Sequence, residues 1–181
     1  MEVVSKNEVW FTFAGVLDTQ VTRSVFTIFA NAIKDGVSTV HFLIHSPGGN
    51  VNDGIALFNY FDSIPIELVA YNSGSVASAA AIAYLGAHKR IVCESGAFMI
   101  HHSTGMVGNV ATGKRLQSVV DSLHIDDARL MNILNSRIKL SDEQQGILAV
   151  ADLHLDAKQS VECGIAHEIG QFIPKGPLYN I

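Results

Sequence analysis

The tetrapeptide Ser-Pro-Gly-Gly at residues 46–49 is the strongest local constraint on how this chain folds. Its proline lacks an amide hydrogen, and its paired glycines adopt backbone conformations closed to other residues, so it interrupts regular structure. Val40 to Ile44 before it has the pattern of a buried strand, and Val51 to Phe61 after it has the pattern of a helix. The sequence therefore predicts a strand-to-helix turn whose free backbone N–H groups can face a ligand.

A second segment directly downstream shows the same order of elements. The pattern predicts a strand over Ile66 to Tyr71, a turn over Asn72 to Ser75 and a helix over Ser75 to Leu85. That helix contains almost no polar residue except Ser78. An isolated hydroxyl in the first turn of an apolar helix is a candidate nucleophile. Ser73 and Ser75 are rival hydroxyls, but turn and cap positions give them a structural role.

The first hundred residues alternate between strand and helix patterns. Further strands are expected at Glu8 to Phe13, Lys89 to Cys93 and Ala97 to His101, and Asp18 can cap a helix that ends at Gly36. Such alternation favours an α/β fold with a mostly parallel sheet covered on both faces.

The pattern changes after Gly105, where one long helix is expected from Val110 to about Arg137. Capping-box signatures follow at Ser141 to Gln144 and at Asp156 to Gln159, the second preceding a short helix that ends at Gly164. A final strand is expected at Ile165 to Ile169, followed by an irregular tail.

Composition narrows the possible functions of the 181-residue chain, whose length suits one domain. The net charge is −5, without a run of Lys or Arg, which argues against nucleic acid or a membrane as partner. No apolar stretch of membrane-spanning length and no signal peptide are recognised, and two cysteines form no disulfide framework, so a cytoplasmic location is expected. Charged residues make up only 16%, which indicates buried subunit interfaces or, alternatively, a less polar monomer.

A serine nucleophile requires a base, and the chain contains eight histidines. His101 and His102 close a predicted strand, so their side chains face opposite ways and only one of them can face a shared site. The alternative is that both are ordinary strand-end histidines bonded to loops. His41 and His45 are four apart in a strand, which does not indicate a metal site, and no nucleotide-binding motif occurs, so neither metal nor cofactor is expected.

Four motifs in one order resemble the ClpP family, the proteolytic subunits of the ATP-dependent Clp protease. They are S-P-G-G at 46–49, G-x-x-A-S at Gly74 to Ser78, M-I-H at Met99 to His101, and A-D-L-H-L-D-A…V-E-x-G-I at Ala151 to Ile165. The resemblance covers about Val9 to Ile169. It implies one serine peptidase domain over residues 1–181, with the ClpP/crotonase-type spiral of mostly parallel strands and helices. It also implies a protruding helical handle at about 106–150, preceded by a substrate-lining strand at Gly105 to Gly113.

The resemblance also assigns roles to individual residues. Ser78 matches the nucleophile, His101 the general base and Asp152 the acid that orients the base. Gly49 and Ala79 match the backbone N–H donors of the oxyanion hole. The implied activity is a serine endopeptidase that hydrolyses peptides or unfolded polypeptides inside a homo-oligomeric ring or double ring.

Three departures from the family pattern shape the remaining expectations. The short segment before the first strand predicts either a different docking surface for an AAA+ unfoldase or no such partner. Ala151 replaces an arginine that ties two rings together in many relatives, which predicts a weaker double ring. Ala79 and Ala80 replace the methionine and glycine that usually follow the nucleophile, which leaves backbone donors intact. The alternatives are a ClpP-type phage prohead protease, a crotonase-like acyl-CoA-binding enzyme and an inactive scaffold subunit.

Overall fold

A mixed sheet forms the centre of the structure, a computed structural model that describes residues 7–108 and 112–181. Its strands in the described residues are β1 (Glu8–Ala14), β2 (Thr39–Ser46), β3 (Glu67–Ala77), β4 (Lys89–Val92), β5 (Ala97–Ile100), β6 (Leu153–Leu155), β7 (Glu168–Ile169) and β8 (Leu178–Asn180). The helices are α1 (Thr19–Lys34), α2 (Val51–Ser63), α3 (Ala79–Tyr84), α4 (Gly113–Arg137), α5 (Asp142–Leu148) and α6 (Ala157–Glu162).

The strands run in the order β6-β5-β3-β2-β1-β8, and β4 pairs with both β3 and β7. Every pairing is parallel except that of β5 with β6. Parallel neighbours require crossover connections, and helices α1 and α2 supply them between the first three strands. The predicted α/β class with a mostly parallel sheet is therefore confirmed.

Strand β3 divides the sheet, because its two halves have different neighbours. Val69 to Asn72 pairs with β4, whereas Ser75 to Ala77 pairs with β5. Asn72 is only 1% exposed and connects the two halves. Its side-chain Nδ2 donates to the carbonyl of Ala97 at 2.8 Å, and its Oδ1 accepts from the amide of Gly74 at 3.0 Å. The sheet therefore branches at Asn72, where the partner of β3 changes from β4 to β5, and β5 comes to lie beside the end of β3.

The predicted turn at Asn72 to Ser75 is wrong, because these residues form an irregularity inside β3. Between the pairs Ile44–Asn72 and Ser46–Val76, β2 advances by two residues while β3 advances by four. The extra residues bulge out and the strand continues, because its second half gains a long-range partner in β5. Consequently the helix predicted from Ser75 begins only at Ala79, and Ser78 lies at the junction rather than in the first helical turn.

Smaller differences also concern element ends. The long helix begins at Gly113 instead of Val110, and residues 109–111 lie outside the described part of the chain, as do residues 1–6. Residues 105–108 and 112 belong to no strand and Gly113 begins α4, so the described residues of the expected substrate-lining strand do not form one. The final strand covers only Glu168–Ile169, and the tail expected to be irregular contributes β8, which pairs with β1.

Local capping signals are confirmed. Asp18 accepts from the amide of Val21 at the start of α1. Ser141 with Gln144 and Asp156 with Gln159 form reciprocal capping boxes at α5 and α6. These contacts depend only on residues three apart, which is why the sequence alone could locate them.

Alternate positions of the strands face different hydrophobic clusters. The main cluster includes Phe29, Phe42, Phe61 and Leu68, all at most 2% exposed, between the sheet and the helices. The smaller cluster on the opposite face consists of Val69, Tyr71 and Ile91.

Helix α4 is attached to this core only near its carboxyl end. Its buried residues are Leu130 and Leu134, and none of residues 113–129 is buried. The first part of the helix therefore projects from the hydrophobic core. Across residues 7–108 and 112–181, no helix combines the length and the apolar character that crossing a membrane requires.

Candidate active site

Ser78 occupies the junction between β3 and α3 with an unusual backbone conformation. Its φ of +53° and ψ of −128° make it the only non-glycine residue with positive φ in the part of the chain described here. Such a conformation costs about 1–3 kcal/mol and persists only where neighbouring structure enforces it. Part of that enforcement comes from the amide of Ser78, which donates to the carbonyl of Met99 at 2.8 Å.

His101 follows directly after β5, one residue beyond the end of the strand. Because β3 and β5 are paired neighbours, with Ala77 opposite Met99, the residues that follow each strand lie side by side. The Nε2 atom of His101 is 2.7 Å from the Oγ of Ser78. The structure thus brings the predicted hydroxyl and the predicted base into hydrogen-bond contact.

Asp152 lies between α5 and β6, and its contact with His101 is looser. Strand β6 pairs antiparallel with β5, with Leu153 opposite Ile100, which places Asp152 beside His101. The Nδ1 atom of His101 is 3.7 Å from the Oδ1 of Asp152, longer than a hydrogen bond but within ion-pair range. The Asp152 side chain is 54% exposed. Asp156, a rival carboxylate, caps α6 instead.

Gly49 and Ala79 line the same cleft as Ser78 and His101. Gly49 has a φ of +153°, and a Cβ built on it would lie 2.0 Å from the carbonyl oxygen of Leu17, so only glycine fits there. Within the described residues, neither the Gly49 nor the Ala79 amide donates to a protein acceptor. Both N–H groups are therefore available to an oxygen bound in the cleft.

His102 has a different carboxylate partner from His101. Its Nδ1 is 3.1 Å from the Oδ2 of Asp127 on α4, and the other oxygen of that carboxylate accepts from the amide of Ser103 at 2.6 Å. The prediction that strand alternation lets only one histidine face the site is wrong, because both lie beyond the end of β5 and both line the cleft, although only His101 contacts Ser78. Sequence reasoning missed Asp127, since nothing within α4 distinguishes it from neighbouring acids and its contacts cross more than twenty residues.

The cleft beside Ser78 has an apolar wall and a volume of about 60 Å³. The wall comes from α2, α3, β5 and α4, through Val51, Ile82, Ile100, Leu130 and Leu134. In residues 7–108 and 112–181, no group of three or more His, Cys, Asp or Glu side chains is arranged to hold a metal ion. A hydroxyl, an imidazole and two free N–H groups beside an apolar wall form an arrangement suited to acyl transfer.

Known proteins show similarity to this chain in sequence and in fold. The chain is 26% identical over 132 residues to the ATP-dependent Clp protease proteolytic subunit 1 of Rhodopirellula baltica, covering 72% of this chain and 57% of that relative. It is 28% identical over 138 residues to the proteolytic subunit of Lactococcus lactis subsp. cremoris, covering 75% of this chain and 69% of the relative. The structure of a ClpP1 mutant from Listeria monocytogenes superposes with a TM-score of 0.77 at 20% identity over 94% of both chains, which shows a common fold.

The family model of the Clp proteases matches residues 3–172, nearly the whole chain. This range contains all four sequence motifs and every residue that lines the cleft. The chain therefore belongs to the Clp protease family.

Proposed function

We propose that this protein is a serine endopeptidase that hydrolyses peptides or unfolded polypeptides. The observation that carries the proposal is the 2.7 Å contact between the Oγ of Ser78 and the Nε2 of His101. A serine hydroxyl becomes a nucleophile when a base accepts its proton as it attacks. The strained backbone of Ser78 supports the same role, because strain of this kind concentrates at functional sites.

The reaction begins when His101 takes the Ser78 proton and the Oγ attacks the carbonyl carbon of a bound peptide. The resulting tetrahedral oxyanion accepts hydrogen bonds from the Gly49 and Ala79 amides, which have no protein acceptor within the described residues. Each such donor stabilises the transition state by roughly 2.7–4 kcal/mol. His101 then protonates the leaving amine, and a water molecule activated by the same imidazole hydrolyses the acyl-enzyme.

Asp152 orients His101 in this mechanism and stabilises the imidazolium that forms during attack. Its distance of 3.7 Å from the Nδ1 atom is compatible with that role if the contact tightens when substrate binds. Asp142 and Asp156, the neighbouring acids, lie at the starts of α5 and α6, and Asp156 caps its helix.

We further propose that the active form is a homo-oligomeric ring. The projecting part of α4 carries exposed apolar side chains, among them Leu116, Val120 and Ile125, which a second subunit can cover. Relatives named as subunits of an ATP-dependent protease indicate that an AAA+ ATPase could deliver unfolded chains to such a ring. Light scattering coupled to size exclusion, with peptidase activity measured across the peak, tests this assembly, and full activity in a monomer would contradict it.

Labelling with a fluorophosphonate reagent, followed by peptide mapping, tests the chemistry. We expect the reagent to modify Ser78 in the native chain and to leave Ser78→Ala unmodified and inactive. Ser75→Ala is the matched control, because Ser75 lies three residues away in β3 and its amide contacts His45 rather than His101. Labelling that survives in Ser78→Ala, or disappears only in Ser75→Ala, would overturn the assignment. A native chain that is never labelled would favour an inactive scaffold.

A further inference from the structure

We propose that Asp127 is a positioning residue for His101, acting from helix α4 on the segment that carries the histidine. This inference rests on the proposed function, because it assigns a supporting residue to the same site. Its basis is that one carboxylate binds both residues that follow His101. The Oδ2 atom lies 3.1 Å from the Nδ1 of His102, and the Oδ1 atom accepts from the amide of Ser103 at 2.6 Å.

The segment after His101 depends on such contacts because it has left the sheet. Strand β5 ends at Ile100, and residues 101–108 belong to no strand or helix. The last pairs of β5 are Met99 with Ala77 of β3 and Ile100 with Leu153 of β6, so His101 lies beyond both ladders. A base on an unpaired segment keeps its orientation only if other groups hold that segment.

Asp152 alone provides a weak hold on the imidazole in this conformation. Its contact with His101 is 3.7 Å long and its side chain is 54% exposed, whereas Asp127 is only 27% exposed and both of its contacts are shorter. Charge-assisted hydrogen bonds of this length are among the stronger polar contacts in proteins. The more firmly held carboxylate therefore binds the backbone beside the base and not the base itself.

Helix α4 is itself anchored to α2, and both helices line the cleft. Arg129 donates from Nη1 to the Oδ1 of Asn52 on α2 at 2.7 Å, and Leu130 and Leu134 are buried in the wall of the cleft. Gly105 also lies against the helix, since a Cβ built on it would be 3.0 Å from the Cγ1 of Val119. Asp127 thus connects the His101 segment to a helix that is fixed beside Ser78, which gives α4 a direct effect on catalytic geometry.

The test compares Asp127→Ala, Asp127→Asn and the control Asp126→Asn by peptide turnover, by the rate of Ser78 labelling and by urea unfolding. Asparagine keeps an acceptor for the Ser103 amide, whereas alanine removes both contacts. Asp126 is the neighbouring acid on the same helix and accepts from the Nη1 of Arg129 at 3.0 Å. Asparagine keeps an oxygen for that donor, so this control leaves the anchor of α4 in place.

We expect Asp127→Ala to lower kcat by about 10- to 100-fold, because a misplaced catalytic group slows the chemical step, while KM changes little. Asp127→Asn should recover part of this loss, and Asp126→Asn should turn over like the native chain. Urea midpoints of the two Asp127 variants that remain close to the native value exclude a general loss of structure.

Two outcomes would overturn the inference while leaving the proposed function intact. One is an Asp127→Ala variant that labels and turns over as fast as Asp126→Asn. The other is a loss of turnover that is accompanied by a matching fall in the urea midpoint, with Asp127→Asn as slow as Asp127→Ala. Failure of the proposed function is distinguishable from both, because then the native chain itself would not be labelled at Ser78.

Discussion

The serine side of the candidate site and its carboxylate side are built in different ways. Ser78 and His101 follow two paired strands, and their 2.7 Å contact is reinforced by a backbone hydrogen bond from Ser78 to Met99. Asp152 lies in a connection between α5 and β6, 3.7 Å from the same imidazole. The sheet fixes the first contact, whereas the second depends on a half-exposed side chain. We therefore expect the serine side to be rigid and the carboxylate side to be adjustable.

The largest expected effect is the loss of the base. His101→Ala should lower kcat by about 10⁶-fold, because serine and histidine of a triad act as a unit. His102→Ala removes only one contact of Asp127, so it should retain measurable turnover. Steady-state peptide hydrolysis measures both variants. The reverse ranking would show that the serine side has been assigned to the wrong histidine.

Replacing the carboxylate should have a smaller effect. Asp152→Asn should lower kcat by at most about 10⁴-fold, the loss seen when the buried aspartate of a serine protease triad is replaced. The same assay on Asp156→Asn provides the control, since Asp156 caps α6 and asparagine caps a helix about as well as aspartate. Loss of turnover in Asp156→Asn with native turnover in Asp152→Asn would identify the wrong acid.

The proposed oxyanion donors belong to the serine side, and Gly49→Ala tests one of them. The added Cβ would lie 2.0 Å from the carbonyl oxygen of Leu17, so the turn must shift and displace the Gly49 amide. We expect kcat to fall by about 10²- to 10³-fold, the usual loss for one oxyanion donor. Gly36→Ala is the control, because Gly36 also has positive φ, at +73°, but has no atom within 4 Å of the added Cβ. Equal turnover of the two variants would contradict the role of Gly49.

Asn72 holds the two halves of β3 to their different neighbours, so it tests the rigidity of the serine side through stability. Asn72→Ala removes the bonds to Ala97 and Gly74 and should lower the free energy of unfolding by about 1–3 kcal/mol. Urea denaturation measures the change. Asn31→Ala, at an exposed position on α1, should stay within about 0.5 kcal/mol of the native chain. An unchanged urea midpoint for Asn72→Ala would show that the change of partner from β4 to β5 does not depend on the Asn72 side chain.

The smallest expected effect concerns pH and the face of the sheet opposite the main core. Burial is the main cause that lowers the pKa of His41 and of His167 below 6.5. The folded state therefore favours the neutral imidazoles. Above about pH 6.5 both histidines are neutral in the folded and unfolded chain, and their full contribution to stability is present. As pH falls from there through the lowered folded pKa, the unfolded chain binds more protons and the free energy of unfolding decreases. Each group can change stability by at most about 1.4 kcal/mol per pH unit. Urea unfolding at several pH values measures this dependence. The free energy of unfolding of His41→Gln should vary less steeply with pH than that of the native chain, and a steeper variation would contradict the lowered pKa of His41.

Local patterns predicted most of the fold and the serine side of the site. Helix caps at Asp18 and Ser141 depend on residues three apart, and the alternation of strands and helices follows from apolar spacing. Ser78 was identifiable because it is the lone hydroxyl at the start of an apolar segment. The alternation argument for His101 and His102 did not hold, because both residues follow the end of β5 and both line the cleft; the contact with Ser78 is what distinguishes His101.

Long-range pairing explains what the sequence did not predict. Asn72 to Ser75 has turn-forming residues, yet it remains within β3 because β5 lies beside it. Strand β8 forms in a proline-containing tail because β1 offers it an open edge. Asp127 acquires its role only when α4 packs against residues 102 and 103, and no feature of its own helix indicates that contact.

The backbone strain at Ser78 sets the stability of this protein against its proposed activity. A φ of +53° suits glycine better than serine, so Ser78→Gly would relax a conformation that disfavours the folded state by about 1–3 kcal/mol. Under the proposed mechanism, the nucleophile is thus also a residue that lowers the stability of the fold, so Ser78→Gly should be inactive and more stable than the native chain.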